Sequence, residues 1–366
     1  LCFSRRVDHF ASTWVEPPMI ARLQQFITLA ALALAAAWSV VFLQRGQAVA
    51  AVVGALLAVF GYALFLAFEF VLLARHGSDG SAPVPRKAQL LRACIAEALH
   101  APRVFCWRQP FRSRAEPDFL PTHSSARRGI VFVHGFVCNR GFWNPWMALL
   151  RARGVPFSAP NLEPPFGSID GYVEMVDAAV RRVEQVTARA PVIVAHSMGG
   201  LAVRAWLART SDGKRVHRVV TIGTPHHGTW LARWSRTPNG HEMKRDSPWL
   251  RTLEASERPG DRSRFVCFFG HCDNIVFPTG TATLPGADNR HLEATAHVQM
   301  AAHPEIVDTV LDLLENELDP VDPQIARKTV RDARREHGLE QAAGENGPDR
   351  LPRSPGRAAA PRESTD

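Results

Sequence analysis

Two stretches near the start of the chain have no polar face. Phe26 to Leu43 carries no charge, and after the break QRGQ a second uncharged stretch runs from Ala48 to Phe68. Each approaches the length of about 20 apolar residues that crosses a bilayer as a helix. Buried helices of a soluble core almost always keep a polar stripe, so the pattern predicts two membrane spans joined by a tight hairpin. Glu69, at the end of the second span, is expected to be solvated among lipid headgroups and is assigned no functional role. A cleaved signal peptide is the competing reading of the first stretch, with Ala35 and Ala37 as the small-residue pattern. Arg75, Arg86, Lys87 and Arg92 come after the second stretch, against Arg45 alone in the hairpin. The positive-inside rule then places everything after residue 75 on the cytoplasmic side of an inner membrane.

Beyond the Gly/Ser/Pro linker from Gly77 to Pro85 the pattern changes. Leu90, Leu91, Cys94, Ile95, Ala98 and Leu99 repeat at helical spacing, on a helix free either to pack on the domain that follows or to lie on the membrane surface. After an irregular segment from Pro102 to Arg128, short β-branched runs alternate with amphipathic ones. Strands are predicted at Ile130–Val133, Val155–Ala159, Pro191–Ala195, Val216–Ile222 and Arg264–Phe269, with a short one around His291 to Ala294. Helices are predicted at Trp143–Arg153, from Ile169 through Val183, from Met198 onward, and from Pro304 with Ile306, Val307, Val310, Leu311 and Leu314. This alternation is that of an α/β protein with a mostly parallel, doubly wound sheet. Trp230 to Gly260 breaks it. Trp230, Leu231, Trp234, Met243, Trp249, Leu250 and Leu253 stand there among polar residues, as expected of a cap that meets apolar substrate.

Composition adds limits. The formal charge of +8 comes from 43 basic and 35 acidic residues spread over flanks and tail. With no nucleic-acid motif among them, this balance speaks for solubility and attraction to a membrane surface rather than for a nucleic-acid partner. The six cysteines, Cys2, Cys94, Cys106, Cys138, Cys267 and Cys272, lack metal-type spacing and are read as free thiols. Asp319 to Asp366 is charged, proline-rich and poor in apolar residues, hence a disordered tail. Leu1 to Pro18 matches neither the membrane-like stretches nor the alternating pattern, and reads as a leader or an over-extended start before Met19. The resulting division is a leader at 1–18, a hairpin at 19–74, a linker with an amphipathic helix at 75–128, an α/β domain at 129–318 with a cap at 226–260, and a tail at 319–366.

The chemistry converges on one turn. In PVIVAHSMGGL the strand ends at a serine with two glycines close behind it, so Ser197 sits between strand and helix. Ala195 and Gly199 leave room for the sharp elbow that lifts a nucleophilic hydroxyl out of a sheet. An ordinary glycine-rich loop is the plain alternative. The segment GIVFVHGFVCNRGFW ends its strand in His134-Gly135, which leaves the N–H of Phe136 to point, with that of Met198, at a developing oxyanion. His134 is expected to brace this loop. Asp273 comes after the strand at Arg264–Phe269, and His297 precedes the helix at Pro304. Ser197, Asp273, His297 is the chain order in which a carboxylate fixes an imidazole that takes the serine proton. Two competitors are set aside, His303 as a cap before Pro304 and Asp288 as a turn residue with no strand before it. His226 and His227 lack partners at ligand spacing and are read as turn and pocket wall, so no metal and no cofactor are expected.

The motifs VFVHGF, AHSMGG and IGTPHHGT, with the Asp273 and His297 segments, resemble the bacterial triacylglycerol lipase and esterase branch of the α/β-hydrolase superfamily, over about Gly129 to Leu314. The resemblance implies an α/β-hydrolase fold with a small cap, Ser197 as nucleophile, Asp273 and His297 as its partners, and Phe136 and Met198 as oxyanion donors. It departs in two places. Ala195 stands where the common elbow has glycine, and secreted lipases lack the hairpin, so extracellular fat digestion is not implied. No calcium signature is present. The expectation is a membrane-anchored ester hydrolase for lipid-like or otherwise apolar acyl esters. Acyl transfer with the same triad, or a non-catalytic membrane transport or scaffold protein that keeps the fold, are the alternatives.

Overall fold

The computed structural model describes residues 18–121, 127–210 and 213–315, and those up to Glu315 form one compact unit. The leader up to residue 17 and the tail at 319–366 lie outside the described residues. The first apolar stretch forms helix α1 (Met19–Gln44), and the chain reverses at Arg45 to Gln47, with Gly46 at φ +70°. The second is not one straight helix. It forms α2 (Ala48–Phe60) and α3 (Tyr62–His76), bent by 57° at Gly61, and α3 runs well past Phe68. α1 is long and apolar enough to cross a membrane, and α2 with α3 reaches that length only as a bent pair. The bend has a packing cause: α3 carries Phe70, Leu72 and Leu73 into a buried cluster with Ala93, Cys272, Phe277 and Ala296. Burying three large side chains gains on the order of several kcal/mol, enough to hold α3 off the line of α2. By contrast α1 leaves Phe26, Ile27, Leu29 and Leu34 exposed and buries only Ile20, Ala21, Gln24 and Ala35.

Helix α4 (Lys87–Pro102) packs onto the rest of the chain through Ala93, Glu97 and Ala101, and leaves Leu91, Ile95 and Leu99 exposed. The apolar repeat read from the sequence is thus split, with Leu90 and Cys94 packed against the buried cluster and Leu91, Ile95 and Leu99 on the outer face. A stretch of wider π-helical turns, Arg103–Arg108, and the short α5 (Gln109–Arg112) lead toward the sheet.

Six strands form that sheet: β1 (Ile130–Val133), β2 (Phe157–Ser158), β3 (Val192–His196), β4 (Arg218–Ile222), β5 (Phe265–Gly270) and β6 (Asp288–Leu292). They lie in the order β2-β1-β3-β4-β5-β6, every pair parallel. Helices cover both faces, as parallel sheets require. Around the sheet run α6 (Asn144–Ala152), α7 (Val173–Thr187) and α8 (Met198–Arg209). In the segment read as a cap come α9 (Pro238–Glu242) and α10 (Pro248–Ser256), and the described residues end with α11 (His297–Met300) and α12 (Pro304–Glu315). One core joins Val176, Val180 and Val183 of α7 to Leu201 and Ala205 of α8, and the other joins Trp146, Met147 and Leu150 of α6 to Ile306 and Val310 of α12. The register sets Val133 beside Ala195 and His196 beside Ile222, so β1, β3 and β4 end at one level.

Strand ends differ from the sequence reading most at β6. Asp288, read as a turn residue, is its first residue and ion-pairs with Arg290 at 2.8 Å. An edge strand pairs on one side only, so its polar residues stay in water and its apolar signature fades. The segment from Trp230 to Gly260, read as a cap, also differs in its packing. Met243, Leu250 and Leu253 are buried against α8, and Trp230 stacks between His76 and Phe277. Of the large apolar side chains in that segment, Trp234 is the one left mostly exposed among the described residues.

Candidate active site

Ser197 occupies the single-residue turn between β3 and α8 at φ 54°, ψ −130°. That conformation costs a side-chain-bearing residue about 1–3 kcal/mol and persists only where the surroundings enforce it. Here the Ser197 N–H donates to Ile222 O at 2.9 Å, and Thr224 Oγ1 donates to Ser197 O at 2.9 Å. The neighbouring glycines permit the approach. A Cβ on Gly199 would lie 2.5 Å from Val133 O, and one on Gly135 would lie 2.8 Å from the Ser197 Cβ.

Asp273 and His297 meet within the buried interior, with His297 Nδ1 3.0 Å from Asp273 Oδ2. Asp273 Oδ1 accepts the N–H groups of Ile275 at 2.9 Å and Val276 at 2.8 Å, which fixes the carboxylate plane. A carboxylate only accepts, so His297 Nδ1 carries the proton and Nε2 is left as the basic nitrogen. Burial opposes a charge on His297. The charge and hydrogen bond of Asp273, helped more weakly by Glu97 and Glu69, outweigh it and raise the imidazole above its ordinary range.

The imidazole is tied to the serine's strand through His196, the residue before Ser197. Its ring lies 4.6 Å from that of His297, and its Nε2 donates to the His297 carbonyl at 3.1 Å. On the other side of Ser197, among the described residues no acceptor takes the N–H of Phe136 or of Met198. His134, buried, accepts the N–H of Leu162 at Nε2 (3.0 Å) and donates from Nδ1 to Gly135 O (3.0 Å), and burial pushes it down to about 4. Val137, next in that loop, has φ 55°, and its carbonyl accepts from Gln24 Nε2 of α1 at 3.1 Å.

The structure pairs Asp273 with His297, sets His297 against His196, the residue before Ser197, and brings Gly135 of the Phe136 loop against Ser197, while the competitors Asp288 and His303 have other surroundings. Asp288 is paired with Arg290, and the His303 Nδ1 is buried without a partner. His226 sits beside Thr221 Oγ1 at 3.1 Å and Cys267 Sγ at 3.5 Å, and the described residues hold no group of three side chains able to bind a metal. Sequence reasoning missed His196, Asn274, Glu69 and Glu97. Asn274 accepts the His297 N–H at 3.3 Å and donates to Glu69 at 2.7 Å, while Glu97 accepts the next two N–H groups, of Val298 and Gln299. For Glu69 the headgroup assignment is corrected: it is buried, because α3 turns inward. The one available signal was Glu97 itself, an acidic residue in register with Ala93 and Ala101.

The sequence model of the alpha/beta hydrolase family matches residues 130–347. A search of curated proteins returns no match. Among solved structures, the mature lipase BlEst2 of Bacillus licheniformis is 20% identical, with 53% of this chain and 94% of that chain covered at a TM-score of 0.46. Lipase B of Aspergillus fumigatus is 21% identical over 50% of this chain and 49% of its own, at 0.41. A monoacylglycerol lipase of Paleococcus ferrophilus is 14% identical over 53% and 96%, at 0.38.

Proposed function

The chain belongs to the alpha/beta hydrolase family, and from that premise we propose that it is a membrane-anchored serine hydrolase of apolar acyl esters. The observation that carries this reading is the buried His297 Nδ1 to Asp273 Oδ2 pair at 3.0 Å, held against the strand whose next residue is the strained Ser197. In the proposed reaction Ser197 Oγ attacks the ester carbonyl carbon while His297 Nε2 takes the hydroxyl proton. The oxyanion is met by the N–H groups of Phe136 and Met198. The carbon–oxygen bond to the alcohol breaks as His297 returns the proton to the leaving oxygen. Water, deprotonated in turn by His297, then attacks the acyl-serine, and the acid is released as His297 returns the proton to Ser197 Oγ.

The apolar, exposed α1 and the bent α2–α3 pair support a hairpin anchor, and the basic flank after residue 75 supports a catalytic domain on the cytoplasmic side. The base of α1 reaches the candidate oxyanion loop through Gln24, which favours a substrate drawn from the bilayer. A fluorophosphonate should label Ser197, and Ser197→Ala should remove both labelling and turnover of p-nitrophenyl butyrate. Near-wild-type rates in purified, folded Ser197→Ala would reject the assignment. For orientation, in a background without native cysteines, Arg45→Cys should react with an impermeant maleimide in intact cells and Ser78→Cys only after lysis. Labelling at 78 from outside would reverse the topology.

A further inference from the structure

Two carboxylates from the N-terminal helices stand behind His297. Glu97 of α4 is 1% exposed, and its two oxygens accept the N–H groups of Val298 at 2.9 Å and Gln299 at 3.1 Å, the two residues after His297. Glu69 of α3 is 5% exposed and accepts from Asn274 Nδ2 at 2.7 Å. Because a carboxylate offers no donor, Glu69 fixes the Asn274 amide with its oxygen turned to the His297 N–H, 3.3 Å away. With the His196 bond to the His297 carbonyl, the backbone at the imidazole is held on every side. Among the described residues neither glutamate forms an ion pair with Lys or Arg. A buried carboxylate without a cation is costly and needs a compensating reason. His297, which becomes a cation each time Ser197 gives up its proton, supplies one.

We propose that Glu97 and Glu69 are positioning residues for His297, so that the membrane-proximal helices form part of the catalytic centre. Glu97 acts twice, through its hydrogen bonds and through a charge that favours the imidazolium. Glu69 acts through Asn274. The groups facing His297 are Asp273 from the loop after β5, Glu97 from α4, Glu69 from α3 and His196 from β3. Burial pushes Glu97 up to about 6, so it is ionised above that pH.

This inference rests on the reading of Ser197, Asp273 and His297 above, and its test separates the two. The full chain in detergent is assayed with p-nitrophenyl butyrate for kcat and KM across pH. Glu97→Gln should move the acid limb of kcat/KM to lower pH by roughly half a unit or more, since an anion beside the imidazole is gone. It should also cut plateau kcat roughly tenfold with KM little changed, and Glu97→Asp should restore the limb. Glu69→Leu should cut kcat several-fold at unchanged KM, with Asn274→Ala adding nothing further, because the two act in series. Val183→Ala in α7, a buried change remote from His297, should lower thermal stability and leave the limb in place. Ser197→Ala that still turns over would sink the site and this inference together. Loss of turnover in Ser197→Ala, combined with wild-type limb and kcat in both Glu97→Gln and Glu69→Leu, would overturn this inference alone.

Discussion

Replacing Asp273 by asparagine keeps the shape of the site and reverses one hydrogen bond. Two backbone donors, the N–H groups of Ile275 and Val276, point at Asp273 Oδ1 from 2.9 and 2.8 Å. An amide at this position satisfies them only by placing its oxygen there, which turns its NH2 toward His297 Nδ1, 3.0 Å from the present Oδ2. Nδ1 must then accept, and the imidazole proton moves to Nε2, the nitrogen that has to be vacant to take the serine proton. The opposite amide orientation turns an NH2 group onto two backbone donors, one buried and one half-buried, at about 1 kcal/mol or more each, so the productive tautomer is populated at roughly 3% or less. Loss of the carboxylate charge that stabilises the imidazolium adds to this, and kcat should fall by roughly 10³ to 10⁴.

The assay is initial rates with a short-chain ester, alongside the second-order rate of fluorophosphonate labelling at Ser197, which should drop in step. Packing is preserved and both backbone donors keep a partner, so the thermal midpoint should move by only a few degrees, about what 1 kcal/mol produces in a chain of this size. Asp273→Asn that retains more than about a tenth of kcat, with labelling unchanged, would refute the tautomer argument, because a tenth is well above the population that the orphaned donors allow.

Four further outcomes follow from the structure. The raised imidazole of His297 requires kcat/KM to climb with pH through a value above the ordinary histidine pKa of about 6.5, since the base works neutral; a limb below it would contradict the Asp273 pairing. Stability carries the opposite sign: the His297–Asp273 contribution is fully present below about pH 6.5 and is lost as pH rises through the raised value, which thermal melts across that window read directly. Gly199→Ala sets a Cβ 2.5 Å from Val133 O and 2.6 Å from His134 O, so backbone must move and the melting midpoint should drop by roughly 5 °C or more; an unchanged midpoint would mean that the elbow tolerates a side chain there. The full chain should stay in the membrane fraction through high-salt washing, because apolar burial is not screened by ions, and release by salt alone would reduce the hairpin to a basic surface contact.

The features legible in the sequence are those that depend on near neighbours along the chain. Alternation of β-branched runs with amphipathic ones predicts the parallel sheet, since strands buried on both faces are continuous apolar runs whatever their partners. The elbow is equally local: Ser197, Gly199 and Gly200 must be small or strained because α8 leaves β3 at once, and the glycines announce it. Asp273 and His297 were reachable through chain order and through the strand and helix beside them. The second apolar stretch was legible in composition and not in shape, because the bend at Gly61 is set by where Phe70, Leu72 and Leu73 find their partners, most of which, Cys272, Phe277 and Ala296, lie some two hundred residues or more away.

Glu69 shows why the remainder was hidden. A carboxylate at the end of an apolar helix has two physical solutions, water among the headgroups or a buried set of donors, and local sequence is the same for both. The choice is made by Asn274, 205 positions later, whose amide stands 2.7 Å from Glu69 and whose oxygen holds the backbone of His297. Glu97 repeats the case at 201 positions from Val298. Of the apolar residues that carry the helical period, Leu91, Ile95 and Leu99 face outward while Leu90 and Cys94 pack against the buried cluster, so the period says nothing of the polar contact beneath. Such contacts close long loops, and the loop-closure cost grows only slowly with length, so nothing in the energetics confines them to residues near in sequence. A carboxylate that breaks the register of an otherwise apolar or small-residue helix face, as Glu97 does between Ala93 and Ala101, is therefore the local trace to look for. Its unsatisfied lone pairs require buried donors, and the loop that bears the His297 imidazole is where this fold supplies them.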